Sequence, residues 1–212
     1  MSFDRLAPHY DRMELLLAAG KLQRMRTRWL DRVPSPRRAL LAGEGHGRFL
    51  VELLHRAPSA EIVCADASEA MLAVSREKLR RAGHRNARVR FVHADLRSPG
   101  YLDGDFDLVT THFFLDCFPP EQLATVIAGL ASVATADACW LVSDFHLPGS
   151  GPARIRARLI LWLMYRFFRL ATRLPARRLA TPDALLESHG FRRDARHLAE
   201  WGLLRADLWR RG

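Results

Sequence analysis

Lysine is almost missing from this chain. Lys21 and Lys78 are the only two among 33 basic residues, so a formal net charge of +10 is carried by arginine. A positive surface attracts anionic partners whatever its origin, yet nucleic acid is a poor candidate. There is no RNA-binding module signature, no zinc knuckle and no aromatic-basic interleaving in the loops. An N-P-P-[YF] tetrapeptide, of the kind that holds a target base, is also missing. Cysteine is scarce and odd in number. Cys64, Cys117 and Cys139 stand far apart, which argues against a disulfide framework and fits a reducing cytoplasm. The nine histidines form no His-x-x-x-His or Cys-His cluster, so no metal is expected. No basic stretch followed by an apolar run opens the chain, so no signal peptide is read. Disorder is excluded as well, because 49% of the residues are apolar and 26% charged.

What is present begins at residues 40–50. A short apolar run ends in Gly43, Gly45 and Gly47, and an apolar-periodic segment follows at once. This is the grammar of strand, tight turn and helix. Glycine lets the backbone turn sharply and approach a ligand, and the helix start offers free N–H groups. Residues 61–65 read as a second strand, ended by Asp66, 19 residues after Gly47. A carboxylate at that distance can accept both hydroxyls of a ribose. The dinucleotide fingerprint G-x-G-x-x-G is not met, because Arg48 follows the third glycine of a G-x-G-x-G.

The rest of the pattern narrows the ligand. Residues 88–96 give a third strand ending in Asp95, and residues 105–111 a fourth, followed by His112 and Asp116. The ordered set GxGxG, "VCADAS", "VHADL" and "FDLVTTHFFLD" resembles a class I S-adenosylmethionine-dependent methyltransferase over residues 1 to about 145. The resemblance implies S-adenosyl-L-methionine as cofactor. It implies Gly43, Glu44, Gly45, Gly47, Asp66, Ala67, Met71, Asp95, Leu96 and His112 as cofactor-binding positions. The opening "FDRLAPHYDRM" at residues 3–13 is similar to that of the ubiquinone/menaquinone C-methyltransferase group, which implies that Tyr10 covers the methionine end of the cofactor. The match weakens at Glu14 and again at Lys21, Leu22 and Gln23, so it carries the cofactor fold and not the quinone substrate. The first motif departs from the family pattern too. Leu41 stands where an aspartate is usual and Glu44 where a cysteine is usual. Glu44 either supplies the missing carboxylate from the loop or faces solvent at the turn.

Three groups fall where methyl transfer is expected, beyond the carboxyl ends of strands four and five. Transfer from a sulfonium is an in-line displacement, dominated by positioning, with a general base needed only if the nucleophile must lose a proton. His112 is a positioning residue or a base. Asp116 can pair with His112 on one helical turn or cap the segment before Pro119. Asp144, at the end of the apolar strand over residues 138–144, faces substrate or makes a structural hydrogen bond. These three are the catalytic candidates.

The fold expected is α/β: a Rossmann-like three-layer sandwich with a mostly parallel seven-stranded sheet and one antiparallel strand in a C-terminal hairpin. A single domain over residues 1–212 is expected. Residues 1–33 form its helical cap, with helix over about 9–30, and residues 150–180 carry an inserted substrate-side helix. On a helical wheel, Arg154, Arg158, Arg166, Arg169 and Arg173 share one third of that helix. Leu159, Ile160, Leu163, Met164, Phe167, Leu170 and Leu174 fall opposite. Its charges recur too often for a bilayer span. It is either a helix packed on the sheet with a solvated arginine face, or a lid or face lying on anionic lipid. The function expected is methyl transfer to a small-molecule or lipid-like acceptor in the cytoplasm, with peripheral membrane contact through residues 153–174 as an option. The alternatives are a quinone or polyprenyl-ring methyltransferase at the membrane surface, and a non-catalytic cofactor-binding module.

Overall fold

Short apolar runs that each feed an amphipathic helix fold as parallel strands, because the helix returns the chain to the same end of the sheet. The computed structural model describes residues 20–98, 103–172, 176 and 179–212. In chain order the elements are α1 (Lys21–Thr27), β1 (Arg38–Ala42), α2 (Arg48–Arg56), β2 (Glu61–Asp66), α3 (Glu69–Arg81), β3 (Val89–His93) and β4 (Phe106–His112). There follow α4 (Pro120–Ser132), β5 (Ala134–Phe145), α5 (Gly151–Thr172), α6 (Asp183–Ser188), β6 (Phe191–Ala199) and β7 (Leu204–Arg211). The sheet order is β3-β2-β1-β4-β5-β7-β6. Strands β1 to β5 pair in parallel, and β7 runs antiparallel to both β5 and β6. The chain is thus the mostly parallel sheet with one reversed strand that its pattern predicts.

Alternate residues of the central strands serve two cores. Leu41, Leu108, Leu141 and Leu208 pack with Phe49, Leu50, Leu53 and Leu54 of α2. Leu40, Val109, Trp140 and Trp209 pack on the other face with Leu123, Val126, Ile127 and Leu130 of α4. Trp140 and Trp209 are cross-strand partners, and the Trp140 indole N–H donates to Thr111 Oγ1 at 2.9 Å. The buried Trp140 indole is therefore satisfied, whereas the Trp209 indole N–H has no hydrogen-bond partner among the described residues. The Ser68 hydroxyl accepts the Met71 N–H at 3.2 Å and starts α3 as an N-cap.

Three expectations change. The helix expected over 9–30 is, within the described residues, only α1, because Gly20 at φ 73° opens it. A separate 3₁₀ turn at Leu30–Arg32 follows. Strand β5 begins at Ala134, before the apolar run, because Ala134 pairs with Phe106 across a bulge while residues 135–137 remain largely exposed. The third change is α5. Its buried stripe is Ala157, Leu161 and Tyr165, set against Leu203 and Phe145 at the carboxyl edge of the sheet. Part of its apolar side stays open, with Leu159 58% and Leu163 52% exposed, which does not fit the reading of that side as packed on the sheet. Both faces of the sheet are already covered by other helices, so α5 meets it only along one edge. Leu170, Arg173 and Leu174 lie outside the described side chains.

Candidate functional site

Strand order reverses between β1 and β4, and a crevice opens there at the carboxyl ends of the strands. The loop after β1 takes a left-handed backbone at Gly43, Gly45 and Gly47, with φ of 67°, 63° and 75°. Side chains rarely adopt that geometry. A Cβ on Gly47 would stand 2.9 Å from the Ser75 Cα, so this glycine lets the loop lie against α3. At Gly45 a Cβ would meet only Met71 at 3.8 Å and Asp66 at 4.0 Å, projecting into the crevice.

Asp66 is held by the backbone on both sides. Its Oδ2 accepts the Gly45 N–H at 3.1 Å and its Oδ1 the Ser68 N–H at 2.8 Å. Each carboxylate oxygen can accept more than one hydrogen bond. The arrangement therefore suits a vicinal diol such as a ribose. The crevice lies between Asp66, Met71, Gly45, His112, Phe113 and Arg26. His112 is 4% exposed and packs edge-on against Phe49, ring centroids 4.5 Å apart. Neither ring nitrogen of His112 has a hydrogen-bond partner among the described residues. Burial, and then Arg26, hold its pKa well below the usual histidine value, so the ring is neutral. A neutral imidazole with orphaned nitrogens in a crevice fits a ligand-lining role better than a general base.

Glu44 turns inward rather than to solvent. Its Oε1 accepts the N–H groups of Phe49 at 2.9 Å and Leu50 at 3.3 Å, capping the first turn of α2. Burial pushes its pKa up to about 7, against the lowering effects of Arg26 and these two N–H groups. The sign for stability follows. The unfolded carboxyl ionises near 4.5 and the folded one near 7, so folding weakens as pH rises between those values and the penalty is constant above. It amounts to roughly 3 kcal/mol at most. Glu44→Gln keeps an acceptor for both N–H groups and cannot ionise. Urea unfolding at pH 5 and pH 8 is expected to show the variant gaining stability over the parent at the higher pH. An equal change in both proteins would remove this role from Glu44.

On the opposite face of the sheet edge lies a second polar group. The carboxyls of Asp116 and Asp144 hydrogen-bond to one another, 5% and 2% exposed. Burial raises both, and repulsion from Asp116 raises Asp144 further, so the pair retains a proton. Arg205, the cross-strand partner of Asp144, lowers both. It is 2% exposed and pairs with Asp183 at 2.7 Å and Asp207 at 3.7 Å. Tyr165 of α5 donates its hydroxyl to the Asp116 carbonyl at 3.2 Å. Phe113 connects the two places. It borders the crevice and its ring lies edge-on to Phe145, beside Asp144, at 5.5 Å.

The structure therefore splits the catalytic candidates. Asp116 pairs with Asp144 and not with His112, because the residues after β4 turn away from the face that carries the imidazole. Gly43, Glu44, Gly45, Asp66, Met71 and His112 border one crevice. Asp95 sits at the end of β3, with Arg97 Nε at 2.9 Å, and Leu96 packs on the core. The Ala67 carbonyl lies 3.1 Å from His93 Nε2. Tyr10 falls outside the described residues. Sequence reasoning missed Arg26, which is 4% exposed with its guanidinium 5.1 Å from the Phe113 ring centre. One arginine among many carries no spacing signal. Phe113 borders the crevice with a φ of 54°, which no local pattern announces.

Residues 39–137 match a family model described as a methyltransferase domain. The chain is 40% identical over 151 residues to the demethylmenaquinone methyltransferase of Thermus thermophilus, covering 70% of this chain and 66% of that protein. It is 34% identical over 154 residues to the protein of that name from Deinococcus radiodurans, covering 70% and 61%. The match thus spans less than two thirds of either relative. Among solved structures, the 1,6-didemethyltoxoflavin-N1-methyltransferase of Burkholderia thailandensis, with its substrate and S-adenosylhomocysteine bound, superposes with a TM-score of 0.69. Identity there is 18%, over 98% of this chain and 85% of that one. The magnesium protoporphyrin IX methyltransferase of Synechocystis, with bound S-adenosylhomocysteine, gives a TM-score of 0.67 at 20% identity, over 92% and 84%. At such identities the likeness speaks for the fold.

Proposed function

From a chain that matches a methyltransferase domain over residues 39–137 and is similar to two demethylmenaquinone methyltransferases, we propose an S-adenosylmethionine-dependent enzyme that methylates a small-molecule or lipid-like acceptor. One observation carries the reading: Asp66, fixed by two backbone N–H groups, faces a crevice at the point of strand reversal. The orphaned nitrogens of His112 and the opening beside Gly45 fit the cofactor. Asp66 would hold its ribose. Glu44, His112 and Arg26 would line its amino-acid end. Met71 would pack on the adenosyl part. Bound there, S-adenosylmethionine supplies a methyl group on a positively charged sulfur. The chain holds the acceptor in line and receives its proton. Asp116, paired with Asp144 at the end of β5, would take it. Phe113 and Phe145 would wall the path between crevice and carboxyl pair. Acceptors with a quinone-like ring are favoured by the names of the two bacterial relatives. Peripheral contact with the cytoplasmic face of a membrane, through residues 153–174, belongs to the same reading.

Asp66→Ala is expected to weaken S-adenosylmethionine binding by about 1.5–3 kcal/mol, the range for hydrogen bonds to a charged group. Titration calorimetry reads it directly. Unchanged affinity in the variant, or no binding by the parent, would remove the assignment.

A further inference from the structure

The outer side of α5 takes no part in the chemistry above, and its composition is unusual for a surface. Ile155, Leu159, Trp162 and Leu163 are 73%, 58%, 58% and 52% exposed. They recur at helical spacing and form one stripe. Single exposed apolar residues need no explanation, but a contiguous stripe marks an interaction site. The tip of the β6–β7 turn extends it. Glu200, Trp201 and Gly202 take three successive positive φ values of 53°, 59° and 80°, and Trp201 is 72% exposed. Arg156 ties this tip to α5. Its guanidinium donates to the Glu200 carbonyl at 3.1 Å and lies 5.5 Å from the Trp201 ring centre.

Charge decides what covers this surface. Between Asp144 and Asp183 the chain has no acidic residue, while eight arginines occur there. Arg158, Arg166 and Arg169 are exposed on α5 itself, and Arg166 lies 5.7 Å from the Trp162 ring centre. A second copy of this chain would bring like charges together, so self-association is disfavoured. An anionic lipid surface satisfies both features, because headgroups neutralise the arginines while the interface receives the indoles and aliphatic side chains. No helix among the described residues is long and apolar enough to cross a membrane, so contact is lateral.

We propose that α5 and the β6–β7 turn together form a docking surface for an anionic bilayer, with Trp162, Leu163 and Trp201 entering the interface. On the buried side of the same helix, Tyr165 donates its hydroxyl to the Asp116 carbonyl. This docking deepens the membrane contact in the proposed function and rests on that part of it, while its test needs neither cofactor nor acceptor and so fails separately from methyl transfer.

Vesicle sedimentation with the full chain tests this. Phosphatidylcholine vesicles containing phosphatidylglycerol are expected to pellet the protein at low salt, and pure phosphatidylcholine vesicles are not. Replacing Arg158, Arg166 and Arg169 with Gln should weaken binding on the order of a hundredfold. Trp162→Ser, Leu163→Ser and Trp201→Ser together should abolish the blue shift of tryptophan fluorescence on adding vesicles, with the far-ultraviolet circular dichroism of the parent retained. No pelleting with anionic vesicles at low salt overturns the proposal. So does an unchanged blue shift in the triple Ser variant, or saturable self-association in sedimentation velocity that Trp162→Ser removes.

Discussion

Asp116→Asn is expected to lower turnover by about 10²–10⁴-fold, the range for loss of a general base. Cofactor affinity is expected to stay as in the parent. The reason lies in the pair. Burial keeps a proton on the pair, and in the proposed function Asp116 is the member that takes the acceptor's proton. Asparagine at 116 keeps the hydrogen bond to Asp144 and removes the site that takes a proton. Asp144→Asn mimics the protonated partner and is expected to retain far more activity. Steady-state turnover with a reduced quinone acceptor, beside calorimetry of cofactor binding, separates the outcomes. Equal turnover in both variants and the parent would leave the pair as structure alone. A fall confined to cofactor binding would move the chemistry to positioning.

The largest expected loss of stability comes from Arg205→Met, at about 3 kcal/mol. Arg205 is 2% exposed and stands among four carboxyls: Asp183, Asp207, Asp116 and Asp144. Removing one partner of a buried ionic group leaves uncompensated charge, which costs more than the pair contributed. Arg196 moderates the loss, since it binds Asp207 at 2.7 Å and Asp183 at 2.6 Å. Urea unfolding at pH 7 measures the deficit. The deficit should shrink on acidification, as the carboxylates left without Arg205 become protonated. A variant as stable as the parent would show that the cluster is balanced without Arg205.

The central sheet and the cofactor end were legible because local rules and the global fold agree there. Gly43, Gly45, Gly47, Ser68 and Asp66 each hold a position that backbone geometry demands of that residue type. The carboxyl pair was not. The partner of Asp116 lies on β5, and the strand pairing that joins them is not written in either segment. The ionic cluster joins α6, β6 and β7 through Arg196 and Arg205, residues whose charge reads as solvated surface in sequence. Which of the two readings of α5 holds was not legible, for a physical reason. Periodicity shows which side of a helix is apolar, but whether a core remains for it to cover depends on elements elsewhere in the chain. Here α2 and α4 already pack on the sheet, and hydrophobic side chains of α5 face outward.

The position of β7 also bears on how the chain acquires its structure. It is the last strand in sequence, yet it lies inside the sheet, between β5 and β6. During synthesis β1 to β5 can pair as each emerges. Strand β6 has no neighbour until β7 has been made, because only β7 joins it to β5. Until then Trp140 and Phe191, which meet edge-on at 5.2 Å in the finished protein, lack the strand that lies between theirs. Burial of that corner is therefore a late step with long-range contacts, and a nascent chain halted before residue 204 would expose it to chaperones or to other chains.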